Sequence, residues 1–180
     1  MGRDINKERS TNLFNDERWM VTLNEFEMDM IEMLTIDKIR VGNTGQAKCR
    51  PVEYYHNTRD LFAAKFAFCK LFKVYPYMLS DEQYPGYDVM ISLRYKWGEE
   101  RKTVDVKQTS CNDGKLTADI RGKIFDLYVL MVGQFPRFVY RGSILREMLF
   151  RPENIETIGG KQIYAVEQDH LSMTFPFFRV

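Results

Sequence analysis

Residues 85–109 read PGYDVMISLRYKWGEERKTVDVKQT. Apolar side chains recur at every second position in both halves of this stretch, which is the period of a β-strand. Gly98 stands between the two halves, so the pattern predicts two strands joined by a turn. On the second strand the two valines point to the core, whereas Asp105 and Lys107 point to the opposite face. We therefore expect a carboxylate and an ammonium group side by side on the polar face of one strand.

Hydrophobic periodicity predicts further helices and strands on either side of this hairpin. Predicted helices span 23–40, 58–74 and 144–150, and predicted strands span 87–95, 102–109, 116–120, 127–132 and 137–140. Thr22 and Glu25 fit a capping box at the start of the first helix. The segment 58–74 is apolar almost all round, which indicates a buried helix. This order of elements predicts an α/β fold in which a mixed sheet is flanked by helices.

Composition is typical of one globular domain. The chain has 180 residues, of which 44% are hydrophobic and 28% are charged. Residues 1–18 are polar and mixed in charge, so we expect a flexible arm before a single domain over 19–180. The formal net charge is only +1. A protein with so little net charge has no overall attraction to nucleic acid, so binding to DNA requires a local basic patch.

Cysteine and histidine usage narrows the chemistry. The cysteines Cys49, Cys69 and Cys111 are odd in number and form no CxxC pair, which favours a reducing compartment. His56 and His170 are the only histidines, which argues against a histidine-based zinc hydrolase. The sequence contains neither an apolar run of membrane-spanning length nor a signal-peptide core near its start. We therefore expect a cytoplasmic protein with no membrane partner.

Asp88, Asp105 and Lys107 are the candidate functional residues. Asp88 lies on the first strand of the hairpin, so strand pairing brings it within reach of Asp105. Ligation by carboxylate oxygens alone suits Mg²⁺ or Mn²⁺. Such an ion would activate water and stabilise charge on a scissile phosphate, and Lys107 would assist electrostatically or in proton transfer. From the spacing alone, a solvent-facing row of charged side chains is an equally good interpretation.

The order Pro85-x-x-Asp88 followed by Asp105-x-Lys107 resembles the P-D…(D/E)-x-K signature of the PD-(D/E)XK nuclease superfamily. The resemblance implies a restriction-endonuclease-like fold. It also implies that Asp88 and Asp105 are catalytic residues that bind Mg²⁺ or Mn²⁺, that Lys107 is a catalytic residue, and that DNA is the substrate.

Later segments of the chain extend this resemblance. FDLYVLMV at 125–132 and FVYRGSILREML at 138–149 resemble the strands and the small helix that follow in the superfamily, so the likeness covers about residues 55–150. The chain looks most similar to phage and bacterial proteins of this fold. The family's helix normally contributes a Glu, and the overlay puts Lys65 there. Asp60, five residues earlier, is then the candidate for the helix acid and a third metal ligand.

Two functions follow from these residues. The first is metal-dependent hydrolysis of DNA phosphodiester bonds. The second is a catalytically inactive module of the same fold that binds DNA or a host protein, for example as a phage factor. A third carboxylate beside Asp88 and Asp105 would favour the nuclease, and Lys65 in that place would favour the binding module. The alternatives for the helix residues are that Asp60 faces the helix dipole and that Lys65 extends to solvent.

Overall fold

A computed structural model describes residues 17–42, 51–74, 88–95 and 98–176 of the chain. The described helices are α1 (Glu25–Gly42), α2 (Pro51–Phe72) and the short α3 (Arg146–Leu149). The described strands are β1 (Met20–Thr22), β2 (Val89–Tyr95), β3 (Gly98–Thr109), β4 (Leu116–Asp119), β5 (Leu127–Gln134), β6 (Arg137–Leu145), β7 (Ile155–Ile158) and β8 (Lys161–Val166). Single 3₁₀ turns lie at Glu17–Trp19, Pro152–Asn154 and Gln168–His170.

Five strands form the main sheet, in the order β1-β6-β5-β3-β2. The pair β3–β5 is parallel, and the other three pairs are antiparallel. The predicted hairpin of β2 and β3 is present, with Val89 opposite Val104. Helices combined with a mixed sheet confirm the expected α/β class. The register also places Asp88 next to Asp105, one position beyond the first β2–β3 pair.

Helix α2 covers one face of the main sheet. Its inner side carries the fully buried residues Ala63, Ala64, Ala67 and Phe68, and three alanines on one side let the helix lie close to the strands. They pack against a set of buried sheet residues: Val89, Ile91, Val104, Val106, Leu127, Val129, Met131, Phe138 and Tyr140. The predicted buried helix is therefore confirmed, although it begins at Pro51 rather than at 58.

The opposite face of the main sheet is covered by a second, three-stranded sheet in the order β4-β8-β7. Leu116, Ala118 and Val166 of that sheet form a buried cluster with Tyr128 and other residues of β5. Strand β4 lies in the connection between the parallel strands β3 and β5. Helices were predicted on the sheet faces, but in the described residues this face is packed mainly by strands.

Several local features differ from the predictions. Strands β1, β7 and β8 were not predicted. The capping box at α1 is formed by Asn24 and Glu27 instead of Thr22 and Glu25. Asn24 Oδ1 accepts from Glu27 N at 2.9 Å, and Glu27 Oε2 accepts from Asn24 N at 2.7 Å. Residues 1–16 of the expected arm lie outside the described residues.

The C-terminal segment around Ser172 is hydrogen-bonded to β6. The backbones of Ser143 and Ser172 exchange two hydrogen bonds, of 2.9 and 2.8 Å. Beside them, Gly142 has a φ of +126° and contacts Leu171 closely, so a Cβ at position 142 would lie 2.7 Å from the Leu171 Cβ. Only glycine combines this backbone conformation with so close an approach.

Candidate functional site

Asp88 and Asp105 lie together where β2 begins. The Asp88 backbone N–H donates to Val104 O at 3.1 Å, and Asp88 Oδ2 accepts from Val106 N at 2.9 Å. These two bonds fix the carboxyl group of Asp88 against the edge of β3. The carboxyl groups of Asp88 and Asp105 come within hydrogen-bonding reach of each other. The expected juxtaposition of the two acids is therefore present.

Lys107 pairs with Asp105 on the same strand. The distance from Lys107 Nζ to Asp105 Oδ2 is 2.7 Å, and the Lys107 side chain is 37% exposed whereas that of Asp105 is 10% exposed. Both residues lie on the face of β3 opposite α2, as the alternation of the sequence predicts. The pair is therefore a carboxylate at the margin of the core with an ammonium group that reaches solvent.

Lys65, on α2, contacts the acid pair from the helix side. Its Nζ lies 2.6 Å from Asp88 Oδ1, and the two side chains are only 16% and 14% exposed. The Lys65 ammonium also lies 5.6 Å from the centre of the Phe62 ring. The four side chains Lys65, Asp88, Asp105 and Lys107 are called the charged cluster below. With both acids ionised it has two positive and two negative charges, so its net charge is zero.

Burial and the neighbouring acid change the ionisation of the charged cluster. Burial raises the pKa of Asp105 to about 6, and the negative charge of Asp88 adds to this rise while Lys107 opposes it. Cys69, one helical turn after Lys65, is also buried. Burial raises the pKa of its thiol to about 12, with a further contribution from Asp88. The charged cluster therefore borders the apolar core, and Cys69 acts as a neutral core residue.

Asp60 does not join the charged cluster. Its Oδ1 accepts from Phe135 N at 3.4 Å and lies 3.4 Å from a guanidinium nitrogen of Arg59. Phe135 follows β5, whereas Asp105 is paired with Tyr128 near the start of that strand. These positions are roughly 20 Å apart along an extended strand. The structure therefore places the suggested third ligand at the β5–β6 turn, with a bond to the chain there.

The donor set of the charged cluster does not fit a divalent cation. Oδ1 of Asp88 pairs with Lys65, Oδ2 accepts from Val106, and Asp105 pairs with Lys107. Among the residues that the structure describes, no group of three His, Cys, Asp or Glu side chains could hold a metal ion. Two ammonium groups already neutralise the two acids, so Mg²⁺ or Mn²⁺ would have to displace at least Lys65 to reach Asp88.

A loop with two basic side chains connects β4 to β5. Tyr128, the neighbour of Asp105 on β5, accepts from Phe125 N at 3.2 Å, and its hydroxyl donates to Lys123 O at 3.4 Å. Arg121 and Lys123 are exposed on this loop, called the basic loop below and comprising residues 119–125. The sequence analysis missed it, although Arg121-Gly122-Lys123 between two strands was a visible signal.

Comparison with family models, with curated proteins and with solved structures finds no match to this chain. None of the described helices is long and apolar enough to cross a membrane.

Proposed function

We propose that this chain is a nuclease-fold module that binds DNA without cleaving it. The observation that supports this proposal is the 2.6 Å contact between Lys65 Nζ and Asp88 Oδ1. It puts a cation of the protein itself on the acid that a metal-dependent nuclease of this type would use for its ion. The resemblance of the sequence to PD-(D/E)XK proteins supports DNA as the ligand.

The charge of the cluster argues against hydrolysis. Metal-dependent phosphodiester cleavage uses the ion to generate hydroxide at neutral pH and to stabilise the charge that develops on phosphate. Lys65 can neutralise Asp88, but an ammonium group does not activate a bound water in that way. The charged cluster therefore retains the electrostatic part of such a site and lacks the water-activating part.

Basic side chains of the charged cluster and of the basic loop supply cations for a polyanion. Lys107 is partly exposed, and Arg121 and Lys123 are exposed on the basic loop. Affinity for DNA comes largely from cations that neutralise phosphates and release counterions, so a few well-placed side chains suffice for salt-dependent binding. Such a local patch is compatible with a chain whose net charge is only +1.

The test measures binding and cleavage separately. Fluorescence anisotropy with labelled single- and double-stranded DNA should show an affinity that falls with salt, and the slope should decrease by about one in Arg121→Ala and in Lys123→Ala. Lys73→Asn is the matched control, because it removes an exposed positive charge at the end of α2 and keeps a residue that tolerates the φ of +53° there. DNA is contradicted as the partner if neither DNA form binds, or if Lys73→Asn lowers the salt slope of binding as much as Arg121→Ala and Lys123→Ala do.

Metal-dependent nuclease activity is the second candidate, because Asp88, Asp105 and Lys107 lie together in the charged cluster. Incubation of both DNA forms with Mg²⁺ or Mn²⁺ should leave them intact under the proposal. Cleavage that is lost in Asp105→Asn and in Lys107→Ala, with both variants folded, would replace the proposal with the nuclease.

A further inference from the structure

We infer that Lys65 is a built-in cation that takes the place of a metal ion on the Asp88–Asp105 pair, and that a carboxylate at position 65 would turn the charged cluster into a divalent-cation site. This inference goes beyond DNA binding. It concerns what holds the two acids together, and it stands or falls whether or not DNA is the partner.

Two neighbouring acids at the edge of the core require a counter-charge. The side chains of Asp88 and Asp105 are 14% and 10% exposed, and their carboxyl groups are within hydrogen-bonding reach of each other. Lys107 pairs with Asp105 from the solvent side. Lys65 reaches Asp88 from the other side of the cluster, where α2 packs on the sheet. Without Lys65, the carboxylate of Asp88 would keep one hydrogen bond among the described residues, from Val106 N.

The position of Lys65 is set by helix packing. Its neighbours on α2, Ala64 and Ala67, are fully buried, as is Phe68. The helix therefore cannot rotate or slide to move residue 65 away from Asp88 without disrupting the main core. Any side chain at this position begins from the same point and projects toward the same acid.

The geometry suits a cation between residue 65 and Asp88 when residue 65 is Glu. A glutamate side chain is shorter than lysine by roughly one bond, about 1.5 Å, which leaves a gap at the 2.6 Å contact. The glutamate oxygen and the Asp88 oxygen would then be about 4 Å apart, which is the separation of two oxygens on opposite sides of Mg²⁺ at about 2.1 Å each. Lys65→Glu also changes the charge of the cluster from zero to minus two, and three carboxylates are a hard-cation donor set.

The inference is tested by adding metal and following thermal unfolding. The full chain is heated with EDTA, with Mg²⁺ and with Mn²⁺ up to millimolar concentration. The natural protein should show a change in melting temperature below about 1 °C, whereas Lys65→Glu should gain roughly 5–10 °C with Mn²⁺. The double variant Lys65→Glu/Asp88→Asn should lose that gain, and Lys65→Gln should gain less than Lys65→Glu because it supplies no third carboxylate.

Each result counts for or against the built-in cation. A Mn²⁺-dependent shift in the natural protein that disappears in Asp88→Asn overturns it, and this measurement does not depend on how well any residue-65 variant folds. A folded Lys65→Glu protein without a Mn²⁺ shift overturns it as well. Titration of Mn²⁺ followed by its electron paramagnetic resonance signal gives a second readout, with the tightest binding expected in Lys65→Glu and none in the natural protein. DNA binding by these variants tests only the proposed function, because the built-in cation is judged by metal binding.

Discussion

Replacing Lys65 with Met tests the energetic role of the charged cluster most directly. Methionine keeps an unbranched apolar chain of similar length and removes only the ammonium group. Loss of one partner from a buried ion pair costs about 3–5 kcal/mol, because the other charge is left without compensation. Asp88 keeps its bond from Val106 N at 2.9 Å, and the desolvation cost of Lys65 disappears. We therefore expect a loss of about 2–4 kcal/mol in the free energy of unfolding at pH 8.

The size of this loss should depend on pH. The pKa of Asp105 is raised to about 6 by burial and by Asp88, so its carboxyl group is charged at pH 8 and mainly protonated at pH 5. At pH 5 the repulsion between the two acids is gone, and protonated Asp105 can donate a hydrogen bond to Asp88. The cost of Lys65→Met should then fall to about half its value at pH 8, roughly 1–2 kcal/mol.

Urea unfolding followed by circular dichroism at both pH values measures these differences, and Lys70→Met is the control. Lys70 lies on the same helix and pairs with Glu27 at the similar distance of 2.7 Å, but its side chain is 39% exposed. An ion pair with that exposure contributes at most about 1 kcal/mol. Equal losses in the two variants, or a Lys65→Met loss that does not change between pH 8 and pH 5, would refute the role assigned to Lys65.

Three further predictions concern single residues. Burial raises the pKa of Asp105 to about 6, above its value in the unfolded chain, so the natural protein should gain stability as the pH falls from 7 to 5, and Asp105→Asn should lose most of that gain in urea unfolding at several pH values. Asp126→Ala removes two 2.8 Å hydrogen bonds from Thr103, so it should cost about 1–3 kcal/mol at pH 7. Those bonds hold the pKa of Asp126 below its usual value against the effect of burial, so that cost should shrink below pH 4, and a constant cost would contradict the assignment. Gly142→Ala should lower the free energy of unfolding by more than about 2 kcal/mol, whereas Gly159→Ala, with open space around its Cβ, should cost about 1 kcal/mol; equal melting temperatures for the two would contradict the packing against Leu171.

Local sequence pattern predicted the parts of the fold whose period is clear. Strands β2 and β3 alternate apolar and polar residues, and α2 is apolar on most of its surface, so both kinds of element could be predicted without any tertiary information. The Gly159-Gly160 pair between β7 and β8 was also a hairpin signal, and it was overlooked. Strand β1 has three residues and exists because β6 pairs with it, so its own sequence carries little signal.

The charged cluster was predictable only in part. Strand alternation and the hairpin put Asp88 and Asp105 side by side, because both constraints are local. The place of Asp60 depends on how α2 crosses the sheet, which helical periodicity does not determine. Strands β4 and β8 cover the face of the main sheet that lies opposite α2. That packing likewise depends on pairing between residues far apart in the chain, such as Leu116 with Val166.

The pairing of Met20 with Val139 places the first strand of the main sheet beside a strand made much later during synthesis. Folding slows as contacting residues lie farther apart in the chain, and a growing polypeptide cannot form contacts with residues not yet added. The apolar side of α2, with Phe68 at its centre, therefore leaves the ribosome before β5 and β6 exist to cover it. We expect nascent chains that stop before β6 to bind chaperones or to aggregate, and expression at reduced temperature to raise the yield of the full-length protein.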